Sequence, residues 1–238
     1  MIRLDRLLVE KGLVESREKA QALIMAGDVL IAGRAARKSG QPVAEDSAIE
    51  LLARPAYVGR GGLKLEAALA NFEIDAKGKI ALDIGSSTGG FTDCLLQAGA
   101  ARVHAVDVGR GQLDWKLRND PRVVVHEGVN ARHLRFEDIG ETADLVVCDA
   151  SFISVTLILP AIVPLARSEM AILIKPQFEV GKGQVGKGGI VRDPAMHRSA
   201  CARVDEAVKD FGFATNMMDS PILGAEGNKE FLLYARRC

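Results

Sequence analysis

Cysteine is scarce and scattered. Cys94, Cys148, Cys201 and Cys238 stand far apart and form no C-x-x-C pair, which excludes a zinc framework of the usual spacing and a disulfide scaffold. Reduced thiols, no metal site and a cytoplasmic setting are the expectation. Net charge is missing too, because 31 Lys and Arg balance 31 Asp and Glu. A nucleic-acid partner must therefore be met by a local patch rather than by the molecule as a whole. No apolar run reaches the roughly 18 residues that cross a bilayer. The start Met1-Ile2-Arg3-Leu4-Asp5 lacks the basic-then-apolar order of a signal peptide, so no membrane partner is expected. There are no internal repeats and no low-complexity tracts.

What remains is ordinary globular material: 238 residues, 48% hydrophobic and 26% charged, enough for one medium domain with a core and a second small one. Residues 1–53 read as the small unit. Leu4, Leu7, Leu8 and then Ala20, Leu23, Ile24 form two stripes of helical period. Ser16 is a good N-cap for the second, with Lys19 instead of an acid three positions on, and Gly27 ends it. Val29–Ile31 reads as a strand entering a turn at Ala32-Gly33, and Val43 and Ile49–Leu51 as two more. Arg17, Lys19, Arg34, Arg37 and Lys38, with Arg3 and Arg6, are candidates for a basic face that holds phosphates. Pro55 and three glycines mark residues 54–60 as a linker, with Arg60 the last cation before the larger unit, 61–238.

The larger unit is organised around Leu82-Asp83-Ile84-Gly85-Ser86-Ser87-Thr88-Gly89-Gly90-Phe91. A buried strand, a glycine-rich turn and a helix N-terminus make the nucleotide corner of an open α/β sheet. Ser87 replaces the second glycine of G-x-G-x-x-G, a departure from the dinucleotide pattern. Strands at 102–107, 123–125, 143–148 and 170–174, with helices between them, predict a mostly parallel sheet with helices on both faces. The helices are expected near 63–72, 156–165 and 195–211. The first leaves Lys64 off its apolar stripe, the usual place of a solvated lysine. Asp107 ends the second strand 24 positions after Asp83, the spacing at which an acid meets a ribose. Asp149 and Lys175 follow neighbouring strands to the carboxyl edge, where ligands bind. Residues 176–194 read as a long loop whose Lys182, Lys187 and Arg192 invite phosphate. The loop lacks the Gly-Lys-Ser/Thr ending of a P-loop, which excludes triphosphate binding of that kind. Two final strands are expected at 215–218 and 230–234.

Three resemblances follow from these residues. Arg3-Leu4-Asp5, Leu8, Ser16-Arg17, Ala20, Leu23-Ile24, Gly27, Val29, Gly33, Val43 and Asp46–Ile49 resemble the small α+β "S-four" RNA-binding domain, with Ile31-Ala32-Gly33 in place of its usual Val-Asn-Gly. The Gly85–Phe91 turn resembles the first motif of S-adenosylmethionine (SAM) methyltransferases, in the form used by FtsJ-type RNA 2′-O-methyltransferases. That likeness implies a Rossmann-like fold and a SAM site built from Asp83, Gly85, Ser86, Ser87, Gly89, Gly90, Phe91, Asp107 and Asp149, with Asn130 at the adenine edge. It also implies the FtsJ-type set Lys-Asp-Lys-Glu, matched in order by Lys64, Asp149, Lys175 and Glu230. Together the halves resemble the TlyA family, which implies 2′-O-methylation of cytidine in ribosomal RNA, free or in subunits. The family is also described as haemolysins.

The four residues make chemical sense. A ribose hydroxyl must lose its proton as it attacks a sulfonium methyl group, and a lysine of ordinary pKa, about 10.4, is protonated at neutral pH. A second cation and desolvation make a lysine into a base. Lys175 is the expected base, oriented by Asp149 and Glu230, with Lys64 as the neighbouring charge; the reverse assignment of the lysines stays open. Three functions are compatible with the chain: a ribosomal RNA methyltransferase, a methyltransferase on another substrate, and a membrane-active protein.

Overall fold

A computed structural model describes residues 1–36, 38–51, 56–181, 183, 185–224 and 227–238, the side chains of Ala26 and Lys187 excepted. The chain divides into two compact units, Met1–Pro55 and Ala56–Cys238.

In the first unit β1 (Ile2–Arg3) runs directly into α1 (Leu4–Glu10), and α2 (Arg17–Ala26) follows. Ser16 Oγ accepts a hydrogen bond from Lys19 N at 3.2 Å, satisfying one of the donors that a helix start leaves open. Gly27 closes α2 at φ +81°, a conformation glycine adopts without steric cost. Leu4, Leu7 and Leu8 meet Ala20, Ile24, Val29 and Val43 in one small core. Around it lie β2 (Val29–Ile31), β3 (Arg34–Ala35), β4 (Pro42–Val43) and β5 (Ile49–Leu51), as an antiparallel sheet β3-β2-β5 and a separate β1-β4 pair. The two-residue strands β1 and β3 are too short to show any alternation in sequence.

The second unit continues with α3 (Gly61–Asn71), β6 (Ile80–Ile84), α4 (Gly90–Gln97), β7 (Arg102–Asp107), α5 (Trp115–Arg118), β8 (Val123–Glu127), α6 (Phe136–Ile139) and β9 (Ala143–Cys148). It ends with α7 (Leu159–Ile162), β10 (Ala166–Ile174), α8 (Pro176–Glu179), α9 (Pro194–Lys209), β11 (Phe213–Asp219) and β12 (Phe231–Arg237). The strands form one seven-stranded sheet in the order β11-β12-β10-β9-β6-β7-β8. Its five central and distal strands from β10 to β8 are parallel, while β12 runs antiparallel to both β10 and β11. Strand side chains alternate with period two, so Leu82, Ile84, Val146, Cys148, Ile172 and Ile174 enter one core. Ala81, Leu145, Val147, Ala171 and Leu173 enter the other. Both faces are covered, which is why residues 80–82, 145–148 and 170–174 read as apolar runs without alternation.

Two stretches depart from expectation. Residues 156–165 are not one helix but a 3-10 turn (Val155–Leu157), α7 and a second 3-10 turn (Val163–Leu165). Pro160 and Pro164 lack the N–H that a continuous helix requires. The stretch 176–194 is not structureless: Pro176 opens α8 at a position suited to its fixed φ, and Lys187–Gly189 forms a 3-10 turn. Of the expected linker, residues 54 and 55 lie outside the described residues. Residues 56–60 pack onto α4, with Val58 N donating to Asp93 Oδ2 at 2.9 Å and Gln97 Nε2 donating to the Ala56 carbonyl at 2.9 Å. Among the described residues, no helix is long and apolar enough to cross a membrane and no cluster of ligating side chains suits a metal ion.

Candidate active site

The sheet order reverses at β6, with β7 on one side and β9 on the other, so the carboxyl ends of β6, β7 and β9 frame a crevice. Gly85 turns the chain there at φ +82°, and a Cβ on it would stand 2.8 Å from the Asp149 carbonyl oxygen. Glycine is what allows the two strand ends to close. Gly85 N and Ser86 N both donate to Val106 O, at 2.8 and 3.1 Å, and Asp149 N donates to Ile84 O at 2.9 Å. Gly89 precedes α4 at φ +99°, packed so tightly that a Cβ would run into Leu117. Asp107 Oδ2 accepts from Ser87 N at 2.8 Å and its Oδ1 from Gly109 N at 2.7 Å. The carboxylate is thereby aimed with lone pairs to spare. Asn130 Oδ1 accepts from Arg132 N at 3.0 Å, which leaves its NH₂ group as the outward donor.

Gly85, Ser87, Asp107 and Asn130 line a cleft of about 270 Å³ together with Val106, Val108, Gln112, Val129 and residues 149–153. A smaller cleft of about 110 Å³ holds Arg60, Gly61, Ser86, Gly90 and Phe91; Gly85, Ser87 and Asp149 line both. Phe91 is also a core residue of α4. Asp83 and Gly89 line neither cleft. Asp83 is fully buried, accepts from Thr92 Oγ1 at 2.6 Å and has no protein partner for Oδ1. Burial raises its carboxyl to about 7, against the opposing Thr92 hydrogen bond.

At the edge of the same crevice two lysines and two carboxylates are sorted into pairs. Lys175 Nζ stands 2.6 Å from Asp149 Oδ1 and donates to Ser151 Oγ at 2.7 Å. Lys64 Nζ donates to Glu230 Oε2 at 2.5 Å. All but Asp149 are nearly sealed from solvent, Lys64 at 7%, Lys175 at 9% and Glu230 at 2% exposure. Topology brings them together: Ile174 of β10 pairs with Phe231 of β12, which sets Lys175 and Glu230 side by side. A Cβ on Gly61, one turn before Lys64, would lie 3.5 Å from Asp149 Oδ2. The carboxylates are thus divided one to each lysine; Glu230 orients Lys64 rather than Lys175. Nor is Lys64 a solvated helix lysine, because Glu230 accepts its charge inside the fold.

Several of the expected RNA contacts are already engaged by acids within the first unit. Arg3 and Arg17 both reach the buried Asp5, at 2.9 and 3.2 Å, as does Gln21. These partners, Arg3 foremost, hold the Asp5 carboxyl well below the usual carboxylate range. Arg6 pairs with Glu10 and Lys19 with Glu15. Arg34, Lys38, Arg60 and Arg192 are exposed and show no ion pair among the described residues. Arg37 and Lys182, and the side chain of Lys187, lie outside the described residues. Sequence reasoning missed Ser151 and the exposed Phe152, which lines the large cleft at φ +66° and 91% exposure. It also missed Val108 and Gln112 on the opposite wall; none of these carries a motif.

A family model of FtsJ-like methyltransferases matches residues 57–237, and one of the S4 domain matches residues 2–49. The chain belongs to the FtsJ-like methyltransferases. Among curated relatives, the Mycobacterium tuberculosis "16S/23S rRNA (cytidine-2'-O)-methyltransferase TlyA" is 48% identical over 98% of this chain and 89% of its own length. The Brachyspira hyodysenteriae "Hemolysin A" is 44% identical over 98% and 99%. A solved Streptococcus thermophilus structure that also carries the hemolysin name aligns over 99% of this chain and 88% of its own, at TM-score 0.75 and 42% identity. The Synechocystis magnesium protoporphyrin IX methyltransferase, solved with bound S-adenosylhomocysteine, aligns over 75% of this chain and 82% of its own at TM-score 0.53 and 16% identity, which shows a shared fold.

The methyl donor of this FtsJ-like methyltransferase is SAM, and the crevice has the features such a ligand requires. Gly85 exposes its backbone at the cleft wall, Asp107 presents a carboxylate for ribose hydroxyls, and Val106, Val108 and Ile153 give apolar walls for a flat base. Asp83 keeps an unpartnered oxygen beneath the turn.

Proposed function

We propose that the protein methylates the ribose 2′-hydroxyl of cytidine in ribosomal RNA, in the cytoplasm, with residues 1–53 binding RNA and residues 61–238 carrying the catalytic site. The observation that supports this reading is the pair of buried lysine–carboxylate contacts beside the nucleotide crevice, in a chain 48% identical to a relative named for that reaction. SAM, when bound, supplies an electrophilic methyl group. Asp107 and Asn130 hold its nucleoside half, and the turn Gly85–Gly90 receives the remainder.

Lys175 is the proton acceptor. Its Nζ lies 2.6 Å from Asp149 Oδ1 and donates to Ser151 Oγ at 2.7 Å, which fixes its place beside the crevice. Fixing the base and the two reactants at one spot removes much of the entropic barrier. The buried Lys64–Glu230 pair keeps one further positive charge in place without adding net charge. Exposed Arg60 and Arg192 of the larger unit and Arg34 and Lys38 of the smaller one meet phosphates, and Lys182 and Lys187 belong to the same proposal.

The test is incorporation of labelled methyl groups from SAM into intact ribosomal subunits and into naked rRNA transcripts. Wild type should label one of them at the 2′ position. Lys175→Ala should lower the rate by about 10² to 10⁴, the usual contribution of a general base. Lys209→Ala, whose lysine pairs with Asp205 on α9, should leave it intact. Absence of label in both substrates sinks the reading.

A further inference from the structure

One buried carboxylate has no part in the scheme above. Glu179, the last residue of α8, is 3% exposed. Its Oε2 accepts from Ser154 Oγ at 2.6 Å and its Oε1 from Val155 N at 2.8 Å. Its carbonyl accepts from Arg203 Nη1 of α9 at 2.9 Å. Burying a carboxylate is costly unless its oxygens are engaged, and here both are spent on a single stretch of chain, residues 154–155.

That stretch ends the loop that leaves β9. The same loop carries Asp149 and Ser151, both on Lys175 Nζ, and residues 150–153 wall the large cleft. In its middle Phe152 sits at φ +66°. A non-glycine residue holds that conformation only where its surroundings enforce it. Three points on α8 and its N-cap do so. Lys175, its N-cap, binds the start of the loop; Phe178 packs its ring against Phe152 at 5.3 Å; Glu179 binds the end.

We infer that Glu179 is a positioning residue: it staples the loop after β9 to α8, and so sets both the wall of the methyl-donor cleft and the place of Lys175 Nζ. The part of this inference that concerns Lys175 rests on the function proposed above; the part that concerns the cleft wall does not.

The test uses the full chain with Glu179→Ala, Glu179→Gln and Ser154→Ala. Affinity for S-adenosylhomocysteine is read by calorimetry without RNA, kcat by methyl transfer to rRNA at saturating SAM, and folding by thermal melting. Glu179→Ala should weaken S-adenosylhomocysteine binding about tenfold and lower kcat by more than that, in line with the cost of small misplacements at a reacting centre. Glu179→Gln should stay within about threefold of wild type, because the amide oxygen still accepts from Val155 N and the NH₂ donates to Ser154 Oγ. The Ser154 hydroxyl is then free to donate to Thr156 Oγ1, 2.8 Å away. Ser154→Ala should weaken binding in the same direction by less.

A folded Glu179→Ala with wild-type affinity and kcat overturns the inference. So does a Glu179→Gln as impaired as the alanine, since the negative charge would then be what matters. Should Glu179→Ala not fold, wild-type affinity in Ser154→Ala overturns it. Should wild type methylate no RNA, the binding arm still decides the cleft-wall role.

Discussion

Asp83→Asn should remove a pH-dependent cost from the sheet. The carboxyl is wholly buried, with one hydrogen bond from Thr92 and one oxygen unpartnered. Burial, first of its causes, raises it from 3.8 to about 7. The unfolded chain ionises near 3.8, whereas the folded protein holds the proton to about 7. The stability tied to that proton is therefore complete below pH 4, is lost as pH rises toward 7, and levels off above. Three pKa units at about 1.36 kcal/mol each make the loss about 4 kcal/mol, of which about 2 kcal/mol falls between pH 5.5 and 8. Asparagine has no such dependence. Its NH₂ group, placed where Oδ1 was, adds a fixed cost of about 1–3 kcal/mol for an unmet donor, the same at either pH. Urea unfolding of both proteins, followed by circular dichroism at about pH 5.5 and 8, isolates the effect, because other groups titrating in that window cancel in the difference. The stability of Asn relative to Asp should improve by about 2 kcal/mol at the higher pH. A difference equal at both pH values refutes the reasoning.

Two further outcomes are expected. Lys64→Met leaves Glu230 buried and unpaired and should cost about 3–5 kcal/mol of stability, while Lys64→Met with Glu230→Leu should recover most of it in thermal unfolding and stay inactive in methyl transfer. Arg34→Ala with Lys38→Ala should weaken rRNA binding at all sequences and flatten the plot of log K against log salt by about 1 per lost phosphate contact; Arg6→Ala, already paired with Glu10, should change that slope less.

The buried strands were legible because both faces of the sheet are covered, so β6, β9 and β10 carry apolar runs at 80–82, 145–148 and 170–174 that lead toward Gly85, Asp149 and Lys175. The glycine turn was legible because Gly85 meets the Asp149 backbone too closely for a side chain. What sequence could not show was pairing over distance. Lys64 reads as a solvated lysine in the first turn of a helix, and only Glu230, 166 positions away, makes it a buried one. Arg3 and Arg17 read as phosphate ligands, yet Asp5 is already bound to both. Ser151 and Glu179 have no motif at all, since their meaning lies in the geometry of one loop and the helix it is tied to.

The position of β12 has a consequence for how the protein comes into being. Emerging from the ribosome, the chain makes β10 and β11 before the strand that lies between them in the finished sheet. Until β12 threads into that gap, the inner edge of β10 is open, a surface on which a partly made chain can mispair. Lys64 meanwhile has no counter-charge. Closing the sheet and supplying Glu230 are one event, so a chain that has not finished folding cannot yet pair the lysine at the start of α3.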